Sequence, residues 1–305
     1  MTEASTGLVG IHGLVAGEVT ADVAETAASL RRLTVRGVDL VRGTLDDEPP
    51  LGAGMVLVPW PNRVEGGRWA LDGVPQQLEL TEPELGNAHH GLLARERYSV
   101  RERGPGRVLL AAPIPAAPGY PFHLATAVEY RLSADGVEVT HIIDNLSSRP
   151  APVALGAHPY LRIGDLAVED LVLQLSAGRA LNLDDGHIPR GSVDVTGTPL
   201  DLRVGRLVRD VVPHGCYTGL EVVDGLVQHR LRAGDGREVR LWAEAVFSHV
   251  QVFVTDDFPA SGGAVSAIAI EPMTAPPNAL RTGDSLRWLE PGERWTARWG
   301  IRLVG

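Results

Sequence analysis

Four polar clusters interrupt an otherwise apolar, turn-rich chain: Trp60-Pro61-Asn62-Arg63, Asn87-Ala88-His89-His90-Gly91, Gly156-Ala157-His158-Pro159-Tyr160, and Glu271-Pro272 continuing to Pro277-Asn278. Two of them carry groups able to move protons. His158 follows the apolar run Pro152 to Ala157, which predicts a buried strand that delivers an imidazole at its exit. Imidazole gives or takes a proton near neutral pH. Glu271 ends the run Ala264 to Ile270 in the same way, and a carboxylate there is costly unless it is paired, hydrogen-bonded or functional. Each has a plainer reading. His158 could be a core histidine bonded to a backbone carbonyl, and Glu271 could be the ion-pair partner of an arginine such as Arg281.

His89 and His90 are adjacent, so on an extended strand they point to opposite faces and only one enters a shared site. His90 is the candidate, with His89 left to solvent or loop packing. Arg63 offers a planar fork of donors suited to hydroxyls or an anion, and otherwise a surface salt bridge. Asn62 is a polar contact or a turn residue. Gln251, in the alternating run Val250-Gln251-Val252-Phe253, faces either a cleft or solvent. Trp60 and Tyr160 complete the candidate contacts, Trp60 having plain core packing as its alternative.

These groups need a scaffold, and loops on a rigid framework are where such residues usually stand. Leu124, Thr126, Val128, Tyr130 and Leu132 alternate before Asp135-Gly136, and Val137, Val139, His141 and Ile143 alternate after it. That pattern predicts a hairpin. Asp235-Gly236 lies between Leu231 and the pair Val239 and Leu241, and Asp72-Gly73 follows Trp69 and Leu71. Three such turns predict an antiparallel meander. The best helical stretch is Val23 to Leu33, with an irregular or strand segment as its alternative. Many short strands without βαβ alternation point to a sandwich or barrel. No Pro/Gly/Ser-rich linker divides the chain, so residues 1–305 are expected to form one domain.

The net charge of -10 opposes an electrostatic nucleic-acid binder. Cys216 is the sole cysteine, which excludes an internal disulfide or a CxxC zinc site and favours a reducing, cytoplasmic setting. Met1 to Gly10 lacks a basic segment followed by an apolar one, so no signal peptide is expected. No stretch approaches the ~20 apolar residues that cross a bilayer. GxGxxG, P-loop and GxSxG motifs are absent.

In their types and order the clusters resemble the aldose 1-epimerase (galactose mutarotase) family. The resemblance is carried by Pro61-Asn62-Arg63-Val64 with Gly67-Arg68-Trp69, by Asn87 to Gly91, by Gly156 to Leu161, by Val250 to Phe253, and by Glu271-Pro272 with Pro277-Asn278. Leu289-Glu290-Pro291-Gly292-Glu293 looks like the family's last turn. Leu78 to Pro83, before Gly86-Asn87, looks closest to a bacterial branch that includes proposed sulfosugar mutarotases. The resemblance implies an all-β, large antiparallel β-sandwich of the galactose mutarotase-like supersandwich type, with an open sugar-binding cleft. It further implies a small-molecule sugar as partner, no metal or organic cofactor, no nucleic acid or membrane, and a monomer or homodimer. His158 would be the general acid and Glu271 the general base, with His90 stabilising charge. Arg63, Asn62, Gln251, Trp60 and Tyr160 would contact the sugar.

One departure stands out. The family usually places a sugar-binding aspartate before a later strand, but Val211 to Leu220 holds none and offers His214, Tyr217 and Thr218 instead. Galactose is therefore expected not to be the best substrate, and Arg63, Arg68 and Arg162 are candidates to meet a sulfonated or phosphorylated hexose. Anomer exchange calls for an acid and a base on opposite sides of the hemiacetal, with room for one sugar ring between them. Two other classes compete: a non-catalytic sugar-binding or regulatory protein on the same fold, and a metal hydrolase using His90, His158 and Glu271 as ligands. A glycoside hydrolase would need two carboxylates, and Glu271 is the one convincing candidate.

Overall fold

The computed structural model describes residues 10–305 except Leu45 and Asp47. The segment read as lacking a signal peptide falls, Gly10 apart, outside these residues. The alternation around Asp135-Gly136 forms the predicted hairpin, Leu124–Leu132 paired antiparallel with Gly136–Asn145. Every second side chain on Leu124–Leu132 is buried, as period-two patterning on a half-covered sheet requires. Asp235-Gly236 joins Leu226–Arg232 to Glu238–Glu244, and Asp72-Gly73 joins Arg68–Leu71 to Val74–Gln77.

These hairpins belong to a larger antiparallel arrangement. One nine-stranded sheet starts from Ser99–Gly104, passes through the long hairpin, and continues through Arg294–Val304, Glu238–Glu244 and Leu226–Arg232 to an edge at Arg206–Leu207. A second runs from Pro189–Asp194 through Ala177–Leu183, His214–Leu220, His249–Ala260 and Gly263–Met273 to the short strands Gly156–Ala157 and Val56–Leu57. A four-stranded N-terminal sheet begins at Ile11–Ala16. One apolar core joins all three: Leu30 and Leu33 from the N-terminal sheet, Val128, Val139 and Trp299 from the first large sheet, and Val250, Val252, Ile268 and Ile270 from the second. Among the described residues the helical content is one turn at Ala279–Thr282 and three 3-10 turns. None is long and apolar enough to cross a membrane.

The helical expectation for Val23 to Leu33 is overturned. Val19–Ala24 and Leu30–Val35 are paired strands, with Val23 opposite Leu30 at a bulge. Between them Ala27 and Ala28 take φ of 52° and 45°, a left-handed conformation that no right-handed helix contains. Strand pairing and burial of Val23, Leu30 and Leu33 outweigh the weak helix preference of the alanines.

Candidate active site

The second large sheet and a small ribbon of Arg63–Glu65 paired with Asn87–His89 supply most of the polar groups of the site. In the sheet, Gln251 stands directly opposite Glu271, so the two side chains share a face. Phe253, two residues on from Gln251, emerges on that face too. His158 follows Gly156–Ala157, whose Gly156 pairs with Met273 on the strand that carries Glu271. Its backbone is tied to the turn at residues 52–55, since His158 N donates to Met55 O and Gly54 N donates to His158 O. Asn278 anchors the ribbon: its N donates to Arg63 O and its Oδ1 accepts from Glu65 N.

A cavity of ≈ 900 Å³ opens here, and Asn62, Arg63, His90, His158, Gln251 and Glu271 all line it. Six of the eight residues singled out in the sequence thus converge. Trp60 and Tyr160 do not line the cavity. Trp60 is core, packed against Tyr120. Tyr160 is fully buried behind His158, its ring stacked at 5.2 Å and its hydroxyl donating to Leu51 O. Arg281 is not the partner of Glu271, because it pairs with Glu65. Arg68 bonds Gln77 and Arg162 bonds Asp165 and Gly164 O, so of the three arginines considered for an anion only Arg63 reaches the cavity.

Two geometric expectations need correction. His158 Nε2 and Glu271 Oε1 are 3.4 Å apart, not separated by a sugar ring. His89 and His90 do not diverge. Both line the cavity with rings stacked at 3.5 Å, because the strand ends at His89 and His90 takes a φ of 61°, which breaks the alternation.

That local turn also fixes the protonation of His90. Its N donates to Asn62 O while Asn62 N donates to its Nδ1, so Nδ1 is an acceptor and the ring proton resides on Nε2. Burial, reinforced by the cationic forms of His89 and His158 and by Arg63, holds its pKa well below the ordinary imidazole value. His90 is therefore a fixed neutral donor. Gly91 makes the turn possible, since at φ +79° a Cβ would lie 2.1 Å from Val58 O. Gly91→Ala should cost about 3 kcal/mol or more through strain and overlap. In thermal unfolding of a 305-residue chain that should appear as a fall in Tm of about 5 °C or more, and a variant melting like the parent would contradict this account of the turn.

Burial acts on the central pair from both sides. It pushes the Glu271 carboxyl up to about 8 despite the opposing pull of Arg63. It pushes His158 down to about 4, with Arg63 adding to the effect. Between those values the pair holds one proton in total. Glu271 Oε2 and His158 Nδ1 are buried with no hydrogen-bond partner among the described residues. Orphaned buried polar atoms are rare in folded proteins and call for an explanation, and here both face-to-face members of one pair carry one.

Sequence reasoning assigned no role to Glu82, which receives Arg63 Nε and Nη2 at 2.8 and 2.6 Å in a bidentate bridge. Nothing in the spacing of residues 63 and 82 reveals this pairing; Glu82 is held beside the ribbon by its isolated bridge to Asn87. Of the three residues offered in place of an aspartate, only His214 lines the cavity. Its ring stacks on His187 at 4.2 Å and lies 4.6 Å from Phe253. Tyr217 is buried, and Thr218 bonds Ser248 O. Among the described residues no three His, Cys, Asp or Glu side chains converge as ligands for a metal ion.

Antiparallel sheets carry an imidazole–carboxyl pair in an open polar cleft, and comparison places the chain in a family. The model of the family described as aldose 1-epimerase matches residues 14–302, and the chain belongs to that family. An Escherichia coli (strain K12) protein named "uncharacterized protein YihR" is 31% identical over 283 residues, covering 92% of this chain and 89% of that one. The fold is shared with a GalM/aldose epimerase homologue from C. elegans at a TM-score of 0.85, with 18% identity over 97% of this chain and 98% of that one. A galactose mutarotase-like protein from Clostridium acetobutylicum superposes at 0.83, with 17% identity over 96% and 94% of the two chains.

Proposed function

We propose that this protein interconverts the α and β anomers of an aldose by ring opening. The observation that carries the reading is the 3.4 Å contact between His158 Nε2 and Glu271 Oε1 in an open polar cleft. With substrate bound, ionised Glu271 takes the proton of the C1 hydroxyl while protonated His158 gives one to the ring oxygen. The C1–ring oxygen bond breaks as C1 becomes a carbonyl. Rotation about C1–C2 turns the other carbonyl face to the oxygen, and closure runs the two transfers in reverse. The free protein already holds the one proton this requires. Burial favours it on Glu271, and transfer across the contact produces the active ion pair without a proton from solvent.

His90 Nε2–H is supplied as a neutral donor for the developing charge on oxygen. Asn62 and Gln251, joined by an Asn62 Nδ2 to Gln251 Oε1 contact of 3.4 Å, offer hydroxyl-binding groups. Arg63, already paired with Glu82, serves as a directed donor with its charge largely compensated. Glu48, Glu79, Glu84 and Glu96 line the cavity against Arg95 and the bridged Arg63. That balance supports a neutral sugar over a sulfonated or phosphorylated one. His214 stands where hydroxyl recognition departs from the family pattern, which supports a preference other than galactose. Polarimetry of freshly dissolved α-aldoses tests the reading: the approach to equilibrium should quicken in proportion to protein. A binding or regulatory protein would bind sugar and leave that rate at its solvent value.

A further inference from the structure

One cation bears on the titrating groups of the cleft. Arg63 lowers the pKa of Glu271 and of His158, and also of His89, His90, His187 and His214. A guanidinium stays charged throughout the pH range in which these groups titrate, so its effect on the central pair is governed by its own counter-charge. Its Nε and Nη2 donate to Glu82 at 2.8 and 2.6 Å. The two side chains are 9% and 15% exposed, and salt screens such a pair much less than it screens surface charges. Arg63 lines the cavity and Glu82 does not, so Glu82 stands behind the guanidinium and away from a bound sugar.

The chain around Glu82 fixes its place. Its N donates to Asn87 O, Asn87 N donates back to Glu82 O, and Asn87 Nδ2 donates to Glu82 Oε2 at 3.4 Å. Asn87 pairs with Glu65 on the ribbon that carries Arg63, which ties donor and acceptor to one frame. His89 Nδ1 lies 3.8 Å from Glu82 Oε1, but burial pushes His89 down to about 2 and leaves it neutral. His187 and His214, on which Glu82 also acts, are pushed down by burial, His214 to about 4. Around Glu271, besides His158 and Arg63, stand the Tyr160 hydroxyl and the Cys216 thiol, both pushed up by burial and uncharged. Near neutral pH the cation acting on Glu271 is therefore Arg63, and the counter-charge of that cation is Glu82. The other charged residues that line the cavity, Glu48, Glu79, Glu84, Glu96 and Arg95, stay in place in every variant below.

We infer that Glu82 is a positioning residue for the reaction, an inference that rests on the anomerase reading above: it aims the Arg63 guanidinium into the cleft and cancels most of its charge, so that Glu271 keeps the proton it shares with His158. Glu82 touches no substrate and carries no proton itself. A bare guanidinium would strip the shared proton near neutrality and leave the pair without its acid. A bare Glu82 carboxylate would hold that proton to higher pH.

The test takes two readouts on the same preparations from about pH 5 to 10. One is the carbon-13 NMR titration of the Glu271 carboxyl, its signal identified by its loss in Glu271→Gln. The other is kcat/KM for anomer exchange on the fastest of a panel of neutral aldoses. In the wild-type protein both should turn at about 8. Glu82→Gln should move both midpoints down by about one pH unit or more, because a nearby cation freed of its partner favours the carboxylate. Arg63→Gln, which is slower at every pH for want of its donor, leaves the Glu82 carboxylate bare and should move both midpoints up. The double variant should fall between the two. Because the single variants shift in opposite directions, either one decides the matter if the other fails to fold. A Glu82 that only braces the ribbon would lower Tm and the rate at every pH while leaving both midpoints in place. That result overturns the inference, as does a shift in the same direction in both single variants. Accelerated exchange with a midpoint unmoved by Glu82→Gln sinks the role of Glu82 and keeps the anomerase reading. The stated carboxyl shifts in protein that accelerates exchange of no aldose sink the anomerase reading and keep the hold of Glu82 on the proton.

Discussion

Glu271→Gln should lower kcat for anomer exchange by about 10²- to 10⁴-fold, the usual worth of a positioned proton transfer. The amide keeps the shape of the protonated carboxyl that burial favours in the free protein, so sugar affinity should change little. His158→Asn should cost a similar factor, because it removes the other half of the 3.4 Å pair. The double variant should be little worse than either single one, since two groups that share one proton act as a unit. His90→Asn should cost less, as His90 is a neutral donor and not a proton carrier. A purely structural role for these residues predicts the opposite pattern: lowered Tm and an unchanged rate per folded molecule. Circular dichroism melts and rates on the same preparations separate the two.

The second large effect is on pH. The active free protein carries one proton on the pair, a state bounded by His158 at about 4 and Glu271 at about 8. Below the lower bound both groups are protonated and no base remains. Above the upper bound both are deprotonated and no acid remains. kcat/KM should therefore be flat near neutrality and fall tenfold per pH unit beyond each bound. A profile level from pH 6 to 10 would contradict this assignment. Stability carries the same signature. The unfolded carboxyl ionises near its ordinary 4.5 whereas the folded one keeps its proton to about 8, so the stability it contributes is present below 4.5 and is lost as pH rises toward 8. Glutamine does not titrate. Glu271→Gln should melt like the parent at pH 4.5 and above it at pH 9.

The strands were legible because their alternation and their Asp-Gly turns are local signals. The hairpin at Asp135-Gly136 could be drawn from residues 124–143 alone. The site was legible in its cast but not in its contacts. His158 and Glu271 stood out because each ends a run too apolar to hold a polar group without cause. Their contact could not be read, because it depends on Gly156 pairing with Met273, over a hundred residues away. His89 was misread for a local reason: period-two reasoning assumes a continuous strand, and the left-handed φ at His90 ends it. Trp60 and Tyr160 sat in the right segments, yet strand alternation and burial turned both rings into the core. Glu82 left no signal, since its contact with Arg63 depends on the bridge that holds Glu82 against Asn87 and not on spacing.

The claim at the centre of this account is that the chain exchanges anomers of an aldose through the His158–Glu271 pair. Magnetisation-exchange NMR at anomeric equilibrium measures it directly, because exchange between the α and β H1 signals needs no net reaction and no coupling enzyme. Cross-peaks should grow in proportion to wild-type protein near pH 6.5 and fall to the solvent rate in folded Glu271→Gln. Wild-type and Glu271→Gln proteins giving equal exchange would contradict it.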